Sequence, residues 1–62
     1  MYQFSGINFQ ETELKFKKLG KVKRFKKLLH FKNITLFEDG RVFIKAETEQ
    51  VAKQIYSKYL GH

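Results

Sequence analysis

The chain has 62 residues, enough for one domain that buries only a modest fraction of its surface. It has no cysteine, which excludes disulfide bonds, thiolate metal sites and thiol nucleophiles. Thirteen Lys and Arg against six Asp and Glu give a formal charge of +7, which favours nucleic acid, an anionic surface or an acidic protein as partner. No apolar run approaches the roughly 18 residues of a membrane span, and no secretory signal is recognisable. We therefore expect a soluble cytoplasmic protein without a membrane partner.

The first predicted element is a helix that ends at Gly20. Four side chains recur before it at offsets of three and four residues: Phe9, Thr12, Phe16 and Leu19. The alternation of Leu14 and Phe16 with charged residues also suits a strand, but this alternation is short. A glycine at the end of a helical pattern favours the helix, which we predict here.

The stretch from Lys15 to Lys32 concentrates the positive charge. It contains nine Lys and Arg residues and no acid, and apolar residues recur through it every two to four positions. This interleaving predicts folded structure rather than a disordered tail. Within the stretch, VKRF and LLHFK alternate as strands do, and the joins at Lys26–Lys27 and Lys32–Asn33 are candidate turns or bends.

The sequence ITLFEDGRVFIKA, residues 34–46, predicts a β-hairpin around Asp39-Gly40, because this dipeptide tolerates the positive φ of tight turns. A two-residue loop would place Leu36 opposite Phe43. The same register would put Val42, Ile44, Thr35 and Phe37 on one face, and Ile34, Leu36 and Phe43 on the other. A bulged three-residue loop would shift the register by one residue.

The last predicted element is an amphipathic helix from Thr48 to Leu60. Its apolar face has offsets of three and four residues and comprises Val51, Ala52, Ile55, Tyr56 and Tyr59. Glu47 and Glu49 suit the positive end of the helix dipole, and Lys58 suits the negative end. Gly61 is placed to close the helix in the left-handed conformation.

These elements predict a single α+β domain over residues 1–62, a small two-layer fold with two or three antiparallel strands between two helices. We expect the helices to cover one face of the sheet and to leave the other partly open. Double-stranded RNA-binding domains share this order of elements. However, their last helix has a basic first turn, where this chain reads AETEQ.

Four segments resemble the extreme C-terminal segment of bacterial adenylating enzymes of the ThiF, MoeB and HesA type: LGKV, LLHF, ITLFEDGRVFIKA and VAKQIYSKYLG. In those enzymes a hairpin of the form LTLFPDGRA precedes a helix ending in ARSLYARYIG. The resemblance covers residues 14–61, and the signature positions are matched by Leu36, Phe37, Asp39, Gly40, Arg41, Ala52, Tyr56, Tyr59 and Gly61. Such enzymes use ATP to activate the C-terminus of a ubiquitin-like sulfur carrier in thiamine or molybdopterin synthesis. The resemblance implies a protein partner, either a sulfur carrier or an adenylating-enzyme core.

The chemistry of those enzymes belongs to an upstream nucleotide-binding domain, and many members carry paired CxxC zinc motifs. This chain has neither, because its four glycines are scattered singly and it has no cysteine. His30 and His62 are far apart in sequence without neighbouring acids, and no hydroxyl has an adjacent general base. We expect a non-catalytic domain without cofactor or metal, either freestanding or excised from a longer protein.

Two functions remain. The first is an interaction module whose exposed apolar patch, rimmed by strand-borne cations, binds an acidic protein; a homodimer is an additional expectation. The second is a small nucleic-acid-binding protein that uses the stretch from Lys15 to Lys32. There, Phe16, Phe25 and Phe31 suit base stacking, although such rings more often belong to a core. The candidate residues for binding a partner or anion are Lys21, Lys23, Arg24, Lys26, Lys27, Lys32, Leu36 and Phe43.

Overall fold

The computed structural model describes residues 1–61, and His62 lies outside the described residues. The elements follow in the order β1 (Tyr2–Phe4), α1 (Phe9–Leu19), β2 (Lys23–Arg24), β3 (Leu28–Phe31), β4 (Ile34–Phe37), β5 (Val42–Ile44) and α2 (Glu49–Tyr59). The strands form one antiparallel sheet in the spatial order β1-β5-β4-β3-β2. The predicted α+β class is confirmed.

The described sheet has five strands, more than the two or three predicted. The sequence pattern does not predict β1, because three residues are too few for a recognisable alternation and the partner β5 is distant in the sequence. In the structure Tyr2 pairs with Ile44, and Phe4 pairs with Val42. The segment VKRF is extended only at Lys23–Arg24, where it pairs with β3. Pairing between segments therefore decided where the two edges of the sheet lie.

Both predicted helices are confirmed, and a polar side chain caps the start of each. The side chain of Asn8 accepts a hydrogen bond from the N–H of Glu11 at 3.0 Å. Thr48, predicted to begin the second helix, accepts from the N–H of Val51 at 3.2 Å. Each cap satisfies one of the backbone donors that the first turn of a helix leaves without an intrahelical partner.

The two helices end in different ways. α1 ends before Gly20, as predicted, and the N–H of Gly20 donates to the carbonyl oxygen of Phe16 at 3.0 Å. The left-handed conformation predicted for Gly61 is wrong, because its φ lies outside the left-handed range. Instead Leu60 and Gly61 both donate to the carbonyl oxygen of Tyr56, at 2.7 and 2.8 Å. This shared acceptor closes the last turn of α2 without a left-handed residue.

The β4–β5 hairpin has the bulged three-residue loop, so the register of the two-residue loop is wrong. Phe37 donates its N–H to the carbonyl oxygen of Arg41 at 2.8 Å, and Gly40 donates to that of Phe37 at 3.0 Å. Gly40 has φ 94°, the positive value that such a loop requires. The register brings four aliphatic side chains onto one face, Ile34, Leu36, Val42 and Ile44, and leaves Thr35, Phe37 and Phe43 on the other.

The core lies between the sheet and the two helices, which cover the same face as predicted. Its buried side chains are Phe9, Phe16, Leu29, Phe31, Ile34, Leu36, Val42, Ile44, Ala52 and Leu60. Phe16 of α1 stacks on Phe31 of β3 with ring centroids 4.6 Å apart, and Tyr59 of α2 meets Phe31 edge-on at 5.7 Å. Leu19 and Val51, which belong to the predicted apolar stripes of the helices, are exposed instead.

Candidate functional site

The face of the sheet that points away from the helices is the candidate site, and we call it the open face. One row of register partners crosses it: Gln3, Phe43, Thr35, His30 and Lys23. Phe43, Thr35 and His30 alternate along their strands with buried core residues, so their side chains point to the opposite side. A neighbouring row places Leu28 opposite Phe37.

An aromatic pair forms the centre of the open face. The rings of Phe37 and Phe43 meet edge-on with centroids 5.4 Å apart. The guanidinium carbon of Arg41 lies over the ring of Phe37, 5.1 Å from its centroid. A depression of about 300 Å³ beside the pair is lined by Met1, Thr35, Phe37 and Phe43. Both rings are half-buried, so the pair keeps apolar surface toward the solvent.

His30 and Thr35 form a hydrogen-bonded pair on the open face that the sequence pattern does not indicate. The distance between Nδ1 of His30 and Oγ1 of Thr35 is 2.8 Å, and Lys23 lies opposite His30 in the register. A nucleophilic triad needs a carboxylate that orients the imidazole, whereas here a lysine is the cross-strand neighbour. Within residues 1–61, no group of three metal-ligating side chains is formed. The pair gives the open face a polar contact beside its apolar centre.

Three cations lie on the open face or next to its strands. Lys23 lies in the central row and Arg41 lies over the ring of Phe37. Lys45 follows β5 and continues its ladder, since its N–H donates to the carbonyl oxygen of Asn33 at 2.9 Å. A second depression of about 300 Å³, at the hairpin tip, is lined by Lys27, Phe37, Glu38, Asp39 and Arg41. The charge is therefore positive beside the strands and mixed at the tip.

Asp39 holds Arg41 in place. The backbone N–H of Arg41 donates to Oδ1 of Asp39 at 3.1 Å, and its Nε donates to Oδ2 at 2.8 Å. The backbone hydrogen bond is the largest cause that lowers the pKa of Asp39 below its ordinary value, and the guanidinium lowers it further. The carboxylate stays ionised near neutral pH and keeps the guanidinium beside Phe37.

The structure separates the residues that the sequence nominated for binding. Phe43 lies on the open face, but Leu36 is 0% exposed and offers no surface to a partner. The register explains this correction, because it turns Leu36 toward the helices. Lys32 lies in the two-residue turn between β3 and β4, beside the end of α2. The exposed lysines of β2 and its flanking loops are Lys21, Lys23, Lys26 and Lys27.

Arg24 braces the fold and does not join the open face. Its Nε donates to Oε2 of Glu13 at 2.9 Å, and its guanidinium carbon lies 4.7 Å from the ring centroid of Phe9. Its Nη1 donates to the carbonyl oxygens of Phe25 and, at 3.2 Å, Lys26. These contacts tie the turn between β2 and β3 to α1, so this cation already has partners.

The structure also divides the three rings of the basic stretch. Phe16 and Phe31 are 0% and 2% exposed and stack on each other in the core, which leaves neither of them a face for a nucleic-acid base. Phe25 is 55% exposed in the turn between β2 and β3, next to Lys26 and Lys27. One ring of three therefore remains for stacking.

Sequence reasoning missed most of the aromatic cluster. It placed Phe37 with Val42 on one face, assigned no role to Met1, and interpreted Arg41 as a family signature residue opposite Glu38 rather than as a neighbour of the rings. The correct faces follow from the register that places aliphatic residues of the two strands opposite each other. The bulged loop gives this register, because it groups Leu36 with the branched residues of both strands.

Neither helix within residues 1–61 has the length and apolar character needed to cross a membrane. In comparisons with known proteins, no family model, curated protein or solved structure matches the chain.

Proposed function

We propose that the chain is a non-catalytic interaction module that binds an acidic protein through the open face. The observation that carries the proposal is the half-buried pair of Phe37 and Phe43 on a face that also carries Lys23, Arg41 and Lys45. The resemblance to ThiF-, MoeB- and HesA-type enzymes supports two classes of partner, a ubiquitin-like sulfur carrier and the core of an adenylating enzyme.

The aromatic pair supplies the binding energy in this proposal. Large rings at the centre of an interface commonly contribute most of its affinity, because covering them removes apolar surface from water. The depression beside Phe43 gives a partner side chain a concave place to pack. Thr35 and His30, which already bond to each other, add a polar boundary to the apolar centre.

The charges supply selectivity. The chain carries a formal charge of +7, and neither Lys23 nor Lys45 forms an ion pair with any described residue. Carboxylates on a partner would meet these cations. The cations would steer the approach of an acidic protein and disfavour the binding of basic proteins. An acidic protein therefore fits both the apolar centre and its surroundings.

Amide-resonance titration tests the proposal at about 150 mM salt, where the Debye length is near 8 Å. A sulfur-carrier or adenylating-core protein should shift the amides of Thr35, Phe37 and Phe43. Phe43→Ser should weaken the association at least about tenfold, the loss typical of a central aromatic residue. Val51→Ser is the matched control, because Val51 is an exposed apolar residue on α2 and its loss should not change the affinity. Equal affinities for the two variants would contradict the proposal.

Nucleic-acid binding is a second candidate, favoured by the exposed ring of Phe25 beside Lys26 and Lys27. It predicts shifts on adding single-stranded RNA or DNA that concentrate in residues 21–27. With about six phosphate contacts, the affinity would fall by orders of magnitude over a fourfold rise in salt. Phe25→Ser would weaken this association, and Phe43→Ser would not. Such a result would replace the protein-binding proposal.

A further inference from the structure

The two edges of the sheet differ in how they are protected. The β2 edge has two residues, Lys23 and Arg24, and charged side chains on a short edge discourage pairing with another chain. The β1 edge has no comparable protection, because the ten residues from Met1 to Gln10 contain no charged side chain. Among the described residues, no strand pairs with the outer side of β1.

The hydrogen bonds of β5 show which backbone groups point outward from β1. Arg41 accepts from Phe37, and the N–H of Lys45 donates to Asn33, so the odd-numbered residues of this segment direct their backbone toward β4. The direction alternates along an antiparallel strand, and Val42 and Ile44 therefore face β1.

The partners of Val42 and Ile44 are Phe4 and Tyr2, whose backbone groups consequently face β5. Gln3 lies between them, so its N–H and C=O point away from the sheet. β1 thus offers an outward donor and acceptor, flanked on both sides by residues that hold the strand to the sheet.

We propose that an extended segment of the acidic partner adds to β1 as a sixth strand and pairs with the outward backbone groups of Gln3. This inference rests on the proposed function and specifies how the partner is held. Strand addition of this kind takes its affinity from main-chain hydrogen bonds and its specificity from alternate side chains.

The surroundings of β1 define the side chains that such a segment needs. On the helix side, Phe4 packs against Tyr56 with ring centroids 4.7 Å apart, which suits apolar residues. On the open face, Lys45 lies just beyond one end of the paired segment of β5, and Asp39 keeps Arg41 on the other side of β5. The added strand would lie about 10 Å from β5, so the long side chain of Lys45 can meet a carboxylate on it. An alternation of apolar and acidic residues matches both sides.

The test uses two blocked peptides, Glu-Val-Glu-Val-Glu and Lys-Val-Lys-Val-Lys, titrated into the intact chain. The acidic peptide should shift the amide resonances of β1 and slow hydrogen exchange at the Gln3 amide, and the basic peptide should do neither. Gln3→Pro should lower the affinity for the acidic peptide at least about tenfold, because proline fits an edge strand but lacks the N–H. Gln3→Val, which keeps the N–H, should bind like the unchanged protein.

Strand addition is wrong if the acidic peptide binds the unchanged protein without slowing hydrogen exchange at the Gln3 amide. This measurement does not depend on whether the proline variant folds. If an acidic protein loses affinity with Phe43→Ser and not with Gln3→Pro, the open face remains the docking site and strand addition is wrong. If sedimentation shows self-association that Gln3→Pro abolishes, the edge serves a second copy of this chain instead.

Discussion

The two faces of the sheet come from the same strands but differ in what they contribute. On the covered face, Leu36 and Val42 pair beneath the helices and are completely buried. On the open face, Phe37 and Phe43 pack on each other and stay half-buried among cations. Leu36 and Phe37 are consecutive residues, so a single step along β4 separates a stabilising residue from one that is available to a partner.

The largest expected effect tests this separation directly. Leu36→Ser should lower the free energy of unfolding by about 3–5 kcal/mol, because it leaves a cavity and buries a hydroxyl in the core. Phe43→Ser should cost only about 1–2 kcal/mol, because the ring of Phe43 is partly exposed and its removal opens no enclosed cavity. Urea or thermal unfolding of both variants measures the difference. Similar losses at the two positions would mean that the faces are not distinct in this way.

The next effect concerns the loop that assigns residues to faces. Gly40→Val should destabilise the fold by about 2 kcal/mol or more, because Gly40 has φ 94° and an added Cβ would lie 2.7 Å from the carbonyl oxygen of Ile7. Gly6→Val is the matched control. Gly6 has φ 81°, but apart from its two chain neighbours no described residue has an atom within 4 Å of its added Cβ. If Gly6→Val lowers the melting temperature less than Gly40→Val does, the collision with Ile7 accounts for the difference. Equal decreases would show that the positive φ alone causes the destabilisation.

A stabilising change is expected at the turn between β3 and β4. Lys32 has φ 53°, the one positive φ among the described residues other than glycine. Lys32→Gly should therefore raise the free energy of unfolding by up to about 1 kcal/mol, because glycine adopts this conformation without steric cost. Asn33→Gly, at the neighbouring position whose φ is not positive, should not stabilise the protein. A lower melting temperature for Lys32→Gly would contradict this view of the turn.

The smallest expected effect is the pH dependence at the hairpin tip. The pKa of Asp39 is lowered in the folded protein from an ordinary value of 3.8, chiefly by the Arg41 backbone hydrogen bond. A lowered folded pKa adds stability above the unfolded pKa, and this contribution is lost as the pH falls through the folded value. At pH values below about 4, Asp39→Asn should make the free energy of unfolding depend slightly less on pH. An identical profile in the variant would show that Asp39 contributes nothing.

Local patterns were sufficient for both helices. The spacing before Gly20 predicts α1, and Thr48 is the observed cap of α2, because capping and helical periodicity depend on residues within a few positions of each other. Gly61 shows the limit of this reasoning. Its type suits a left-handed end, yet the shared acceptor at Tyr56 closes the helix in another way.

The candidate site was less predictable. Phe43 was nominated for the open face together with Leu36, and the structure keeps one and buries the other. In the sequence of the basic stretch, Phe16 and Phe31 cannot be distinguished from Phe25. Their contacts across the core show that they are unavailable to a base. A pattern of alternating residues indicates that a strand has two faces without indicating which face a helix will cover.

The sequence by itself determined the helices, the presence of the hairpin around Gly40 and the α+β class, since each follows from propensities and periodicities between near neighbours. The tertiary structure decided the register, the covered face and the position of β1 at the edge of the sheet. These depend on pairing between segments that are distant along the chain, and on which register buries the most apolar surface. Because a one-residue slip moves every side chain to the opposite face, the site became visible only when the strands were paired.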